Sequence, residues 1–258
     1  MIKILVISSE SFFRNEAIYV DELFAAGLQV FHLRKPNASK EDLADFIKEI
    51  NPIYRNRIAL HPIAIGSHHE LALGPDSYRD GINRLHFTEE NRLNLITNGF
   101  ERKEGFIYST SFHSIEDAQR EGEAFDYYFL SPIMDSISKS GYQGKKMKSP
   151  SSKAVALGGI CLENLEEVKD LGYENIAVLG AIWQEPENAL ERFVELKEKW
   201  DNVRITMNPP RKTIKSKIFG FSVPSQEGIL VDKQLKAKIK NPKPETRYLK
   251  SSSQNPKP

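Results

Sequence analysis

Residues 154–180, AVALGGICLENLEEVKDLGYENIAVLG, decide the fold. Ala154–Leu157 is a compact apolar run of the length and composition of a buried strand. Gly158-Gly159-Ile160 ends it, Leu162–Leu171 follows with a helix, and Asn175–Leu179 (NIAVL) is a second β-branched run closed by Gly180-Ala181. Strand, helix and strand within 27 residues make one βα unit and the start of the next. Strands joined by helices run parallel, because the chain must cross back before pairing again.

The same alternation extends to the N-terminus. Ile2–Ser8 (IKILVIS), Gln29–Leu33 (QVFHL), Arg57–Leu60 (RIAL), Arg84–Phe87 (RLHF), Phe106–Ser109 (FIYS) and Tyr127–Leu130 (YYFL) supply six more strands. Asn15–Gly27 sets Ile18, Leu23, Phe24 and Ala26 near helical spacing, with Gly27 suited to follow a helix end. Ser39-Lys-Glu-Asp42 opens a helix whose face is Leu43, Phe46, Ile47 and Ile50, and Pro52 stops it; Ser114-Ile-Glu-Asp117 opens another. Pro186 stands just inside the start of a helix to Lys199, where its missing N–H costs nothing. Eight repeats in about two hundred residues predict a closed (β/α)₈ TIM barrel. An open, doubly wound sheet is the structural alternative. Ser140–Lys153 holds two glycines, a proline and lysines but no apolar face, so the sixth helix is expected to be absent or reduced to a turn.

The net charge of +1 conceals a split. Residues 203–258 carry thirteen Lys/Arg against Glu227, Asp232 and Glu245, leaving 23 basic and 32 acidic residues in 1–202. Seven of the fourteen prolines fall in that last segment, a composition unable to bury a core. The reading is a barrel domain over 1–202 and a disordered basic tail over 203–258, in which no aromatic interleaving favours nucleic acid. The single cysteine, Cys161, excludes an internal disulfide framework. No apolar run reaches the roughly 18 residues of a membrane helix, and the N-terminal run is too short for a signal peptide. A cytoplasmic protein with no membrane partner is expected.

In such a barrel, chemistry gathers at the C-terminal ends of the strands, and anions bind after strands seven and eight. Gly158 and Gly159 follow strand seven, while Leu179 and Gly180 close strand eight. Glycine lets backbone N–H groups approach a phosphate without a Cβ between. After strand six, Ser131-Pro-Ile-Met-Asp-Ser136-Ile-Ser138-Lys139-Ser-Gly141 sets hydroxyls, a lysine and a glycine on one loop. Alternation sends His32 and Arg34 to the same side of strand two, and Lys35 follows them. His32, His61, His86 and His113 fall at or just past the ends of strands two to five. Four converging imidazoles offer ligands to a borderline metal such as Zn²⁺, or they line a polar substrate pocket. Cys161 reads as a spectator at a helix start, and His68-His69 as surface.

HLRKP (32–36), Ser109-Thr-Ser111-Phe-His113, SPIMDSISKSGY (131–142), ALGGI (156–160) and IAVLGAIW (176–183) resemble, in order and strand context, motifs of the thiamine phosphate synthase and thiazole tautomerase family. The similarity covers about residues 2–198 and is nearest a Bacteroides-like branch. It implies transfer of a hydroxymethylpyrimidine diphosphate to a thiazole phosphate with release of pyrophosphate. Arg34, Lys139 and Ser111 would then act on the departing diphosphate, with Lys35, Ser136 and Ser138 beside them. Gly158, Gly159, Leu179 and Gly180 would hold the thiazole phosphate, and His32 (where the family has Gln), His86 and His113 would line the pocket. Mg²⁺ is the implied cofactor, yet the family's two aspartates are not matched. Strand three ends in Leu60-His61-Pro62, and the strand-four position falls on Asn91, with Glu89 and Glu90 nearby. A tautomerase relative places a His where this chain has Ser131-Pro132. A non-catalytic protein that binds thiamine phosphate is the third reading.

Overall fold

The computed structural model describes residues 3–61, 81–98, 102–135 and 143–207. Eight parallel strands lie in chain order: β1 Ile4–Ile7, β2 Val30–Leu33, β3 Ile58–Leu60, β4 Arg84–Phe87, β5 Ile107–Phe112, β6 Tyr127–Leu130, β7 Ala154–Leu157 and β8 Asn175–Val178. β8 pairs back onto β1 through Ile4↔Ile176, Leu5↔Ala177 and Val6↔Val178, closing the barrel. The open sheet is therefore excluded. Each strand begins and ends close to its sequence-based limits, the largest change being β5, which runs on to Phe112.

Helices α1 Glu16–Ala25, α2 Lys40–Glu49, α3 Glu89–Asn98, α4 Ile115–Glu121, α5 Leu165–Asp170, α6 Gly180–Trp183 and α7 Ala189–Met207 surround the ring. Ser39 accepts from Asp42 N–H while Asp42 accepts from Ser39 N–H, so α2 carries the expected reciprocal cap. Ser114 likewise accepts from Asp117 N–H. α7 is longer than its sequence pattern: it continues past Lys199 to Met207 and runs through the expected domain boundary at 202/203. Trp200, with none of its surface exposed, anchors that stretch. The rest of the basic tail, from 208 onward, lies outside the described residues. α3 had no legible amphipathic face, since Leu93 and Ile96 are exposed.

Strand alternation divides the apolar residues into two layers. Leu5, Ile7, Val30, Ala59, Tyr127, Phe129, Val155 and Ala177 fill the barrel interior. Their neighbours on the same strands, such as Val6, Phe31, Leu85, Tyr128 and Ile176, face outward and pack with the helices. Trp183 ties α6 to the ring by donating its indole N–H to Ile7 O at 2.7 Å.

Among the described residues between β6 and β7 none is helical, as the missing apolar face implied. Backbone hydrogen bonds hold the described parts of this connection. Ile133 and Met134 N–H donate to Leu157 and Gly158 O at 2.9 and 3.0 Å, while Lys145 and Lys146 N–H donate to Pro132 and Ile133 O at 3.0 Å. Met147 is buried beneath, its carbonyl accepting from the Tyr173 hydroxyl at 3.0 Å. Among the described residues, no helix is long and apolar enough to cross a membrane.

Candidate active site

Inward-facing positions of β2 to β6 carry the polar residues of the barrel. His32 sits in β2, His61 one residue beyond β3 and His86 in β4. His86 is the register partner of Ser109, and Ser109 of Tyr127. Alternation thus aims two imidazoles, a hydroxyl and a phenol at one place. His32 Nδ1 lies 3.0 Å from His61 Nε2, and His32 Nε2 lies 2.8 Å from the Tyr127 hydroxyl. His86 Nδ1 is 2.9 Å from Ser109 Oγ, which donates to Leu85 O at 3.3 Å; His86 Nε2 is 3.0 Å from Ser111 Oγ. A hydroxyl that already donates to a carbonyl accepts from the ring, so His86 carries its proton on Nδ1 and turns a lone pair to Ser111. Phe129 packs against His32 and His86 at 4.7 and 4.9 Å between centroids.

Burial holds these imidazoles neutral. It pushes His32 and His61 well below the usual histidine range, and the neighbouring rings and Arg side chains push the same way. It lowers His86 to about 3, with Arg34 adding to the effect. Buried Tyr127 is raised to about 12. A group whose folded pKa lies below its unfolded value contributes stability that is whole above the unfolded pKa, about 6.5 for histidine, and is lost as pH falls. Thermal melts are therefore expected to hold steady above about pH 7 and to drop between about pH 6.5 and 5. The drop should be shallower in His86→Gln. A wild-type midpoint unmoved over that window would contradict a buried neutral cluster.

Arg34 follows His32 up the inward face. Its backbone is fixed by Ser8, whose Oγ accepts from Arg34 N–H and donates to Arg34 O, both at 2.9 Å. Its guanidinium is half-exposed and pairs with the exposed Glu10 carboxylate at 3.0 Å. Such a surface pair is worth about 0–1 kcal/mol, so an anionic ligand can replace Glu10 at small cost. Ser111 is held from behind: Arg92 donates to its carbonyl, reaches Glu121 at 3.0 Å and lies 4.2 Å from the centroid of the Phe112 ring.

Two expected site residues stand elsewhere. Lys35 points away from the mouth, its ammonium 2.7 Å from both Glu16 oxygens, with each side chain 1% exposed. An ammonium committed to a buried carboxylate does not serve a diphosphate, which corrects the expectation. His113 is exposed and hydrogen-bonds through Nδ1 to Ser131 O at 3.0 Å. The cluster therefore has three imidazoles rather than four. Gly158 and Gly159 have φ of +97° and +67°, and a Cβ on Gly159 would lie 2.1 Å from Asp135 O. Close approach of the β6 loop thus explains the second glycine before any ligand is considered. Gly180 opens α6 with open space, to 4 Å, around the point a Cβ would take, and half-exposed Leu179 precedes it. Burial raises the Cys161 thiol, in keeping with a spectator. Ser136, Ser138 and Lys139 lie outside the described residues.

Asn91 is buried in the first turn of α3, its N–H donating to Thr88 Oγ1 at 3.3 Å. Among the described residues Glu10 pairs with Arg34, Glu16 with Lys35, and Asp135 with Gly144 N–H at 2.7 Å, while Glu89, 3.9 Å from Arg92, and Glu90 face solvent. A hard ion such as Mg²⁺ wants oxygen donors, usually with one or two carboxylates. Among the described residues the one potential metal-holding group is His32, His61 and His86. These residues do not fit Mg²⁺.

Tyr127, Ser109 and Arg92 were not singled out from sequence. The register of β4, β5 and β6 identifies the first two once pairing is known; a YYFL run alone reads as core.

A family model described as thiamine monophosphate synthase matches residues 4–182. A thiamine-phosphate synthase of Prochlorococcus marinus (strain MIT 9303) is 27% identical over 187 residues, 69% of this chain and 51% of that protein. The chain thus spans about half the length of that relative. One from Halalkalibacterium halodurans is 26% identical over 192 residues, 70% of this chain and 87% of that protein. Among solved structures, a thiamine phosphate pyrophosphorylase from Bacteroides thetaiotaomicron superposes with a TM-score of 0.59 at 27% identity, covering 78% of this chain and 98% of that one.

Proposed function

The chain belongs to the thiamine monophosphate synthase family, and from that premise we propose that it is a transferase of thiamine biosynthesis, joining a hydroxymethylpyrimidine diphosphate to a thiazole phosphate. The bond from the pyrimidine methylene carbon to the diphosphate oxygen breaks, and pyrophosphate leaves with the electron pair. The thiazole nitrogen then donates its lone pair to that carbon, giving thiamine phosphate. The step needs stabilisation of departing negative charge more than acid–base chemistry.

One observation carries the reading: Arg34 stands one residue beyond β2, its guanidinium paired among the described residues with an exposed carboxylate, above a buried cluster of neutral rings and hydroxyls. Arg34 meets the departing diphosphate; Ser111 adds a hydroxyl. Lys139, Ser136 and Ser138 join them by resemblance. Neutral His32 and His86 suit a carbon that becomes positive, since an imidazolium would repel it. Gly159 and Gly180 offer backbone N–H groups to the thiazole phosphate. Lys35 is left out, its charge already paired.

Purified full-length protein given both substrates should release pyrophosphate. Arg34→Ala should lower kcat/KM by about 100–1000-fold, the effect of deleting one donor from an anion-stabilising site. Pyrophosphate release no faster in wild type than in Arg34→Ala would end the proposal. A second reading rests on the lack of a fit to Mg²⁺: a protein that binds thiamine phosphate without making it. Calorimetry showing tight thiamine phosphate binding by an inactive wild type would favour it.

A further inference from the structure

We propose that His32, His61 and His86 form a three-imidazole site for one borderline divalent metal ion of the Zn²⁺ or Co²⁺ class, inside the barrel beneath Arg34. The inference concerns an ion bound without substrate; because a dication on these rings would repel the positive carbon of the synthase reading, ion and substrate occupy the barrel in turn.

Three features of the geometry carry it. First, each ring offers a nitrogen within 4.8 Å of the others. Tetrahedral ligation at about 2.0–2.1 Å per Zn–N bond puts the nitrogens about 3.3 Å apart. His32 Nδ1 and His61 Nε2, at 3.0 Å, are already near that spacing, and the ligand nitrogen of His86 lies within 4.8 Å of the other two. Second, the nitrogens turned away from this centre are engaged as those of metal-bound histidines are. His32 Nε2 meets the Tyr127 hydroxyl and His86 Nδ1 meets Ser109 Oγ. These contacts fix ring orientation and leave His32 Nδ1 and His86 Nε2 as the nitrogens turned toward the other rings and Ser111. Third, the donor set is nitrogen only. Imidazole suits Zn²⁺, Co²⁺ and their neighbours, whereas Mg²⁺ and Ca²⁺ require oxygen.

Without an ion, a single proton between His32 Nδ1 and His61 Nε2 satisfies both. Binding a dication at His61 Nε2 shifts the proton of that ring to its Nδ1, so all three ligands stay neutral. Ser111 Oγ, 3.0 Å from His86 Nε2, holds the lone pair of that nitrogen in the absence of an ion and yields it to the metal, and the fourth position is left to a water or an anionic oxygen. A site with three protein ligands and one exchangeable position is the open type.

Chelator-stripped full-length protein should be titrated with Zn²⁺ by calorimetry and with Co²⁺ by visible absorption. The expected result is one ion per chain, with the d–d bands of a four- or five-coordinate cobalt complex. His61→Gln and His86→Gln should each weaken binding by at least about 100-fold. Tyr127→Phe, which removes a supporting contact but no ligand, should weaken it by about 10–100-fold. His113→Gln and the double change His68→Gln/His69→Gln should leave it unaltered. The wild-type cobalt spectrum decides the matter even if a histidine variant folds poorly. Substoichiometric binding, an octahedral cobalt spectrum, or loss of binding in the His68/His69 variant would each overturn the assignment.

Discussion

Glu16→Ala should cost the fold about 3–5 kcal/mol, which is the penalty for leaving a buried charge without its partner. Glu16 opens α1 and Lys35 follows β2, and their side chains meet where solvent does not reach, each 1% exposed. Both carboxylate oxygens lie 2.7 Å from the ammonium. Ser11 O at 3.0 Å and Ser9 Oγ at 3.3 Å complete its coordination, and the Phe12 ring lies 4.6 Å away. Burial alone pushes Glu16 up and Lys35 down; each holds the other's charge against that push. Removing the carboxylate leaves the ammonium among Phe12, Phe46 and two oxygen atoms. For a domain of about two hundred residues the loss corresponds to a drop in Tm of roughly 6–20 °C.

The same reasoning makes a contrasting expectation for the double change Glu16→Leu/Lys35→Met. Replacing a buried ion pair by apolar side chains of similar volume is commonly neutral or stabilising, so the double variant should melt near wild type. Chemical denaturation of the three proteins provides the check. A Glu16→Ala protein within about 1 kcal/mol of wild type would mean that Lys35 finds water or loses its proton, and that the pair does not lock α1 to β2.

Lys35 also shows where sequence reading stops. In HLRKP (32–36), period two assigns His32 and Arg34 to one side and Lys35 to the other, and the structure follows that rule. The motif resemblance nevertheless drew Lys35 into the diphosphate site, because a sequence records charge without recording what the charge already faces. The strands were legible because each is a short, largely apolar run set between polar or turn-forming residues. α2 and α4 were legible from Ser39/Asp42 and Ser114/Asp117. α3 was not, because Leu93 and Ile96 face solvent and leave no stripe to read. The three-histidine cluster was half legible: the rings fall at or just past the ends of strands two to five, but His113 lies beyond β5 and turns to Ser131 O. Only strand register brings Tyr127 and Ser109 to the same rings.

Gly159→Ala is the second large effect, and it separates two explanations of the glycines that follow β7. At φ +67° an L-residue costs about 1–2 kcal/mol. Its Cβ would also press on backbone, at 2.1 Å from Asp135 O and 2.6 Å from Met134 O. The β6 loop cannot withdraw freely, because Ile133 and Met134 N–H are bonded to Leu157 and Gly158 O, and overpacking of this kind costs about 1–3 kcal/mol more. The sum, about 2–5 kcal/mol, should appear as a lowered denaturation midpoint before any substrate is added. Gly180 is the opposite case. Among the described residues, no atom outside its own helix backbone and chain neighbours lies within 4 Å of where its Cβ would sit, so Gly180→Ala should change stability by less than about 1 kcal/mol, the scale of the Gly–Ala helix propensity difference. If both turns cradle phosphate, Gly180→Ala loses thiazole phosphate affinity at wild-type stability, while Gly159→Ala loses stability and affinity together. A Gly159→Ala protein as stable as wild type would show that the β6 loop does not press on this turn, and would leave ligand approach as the reason for a glycine there.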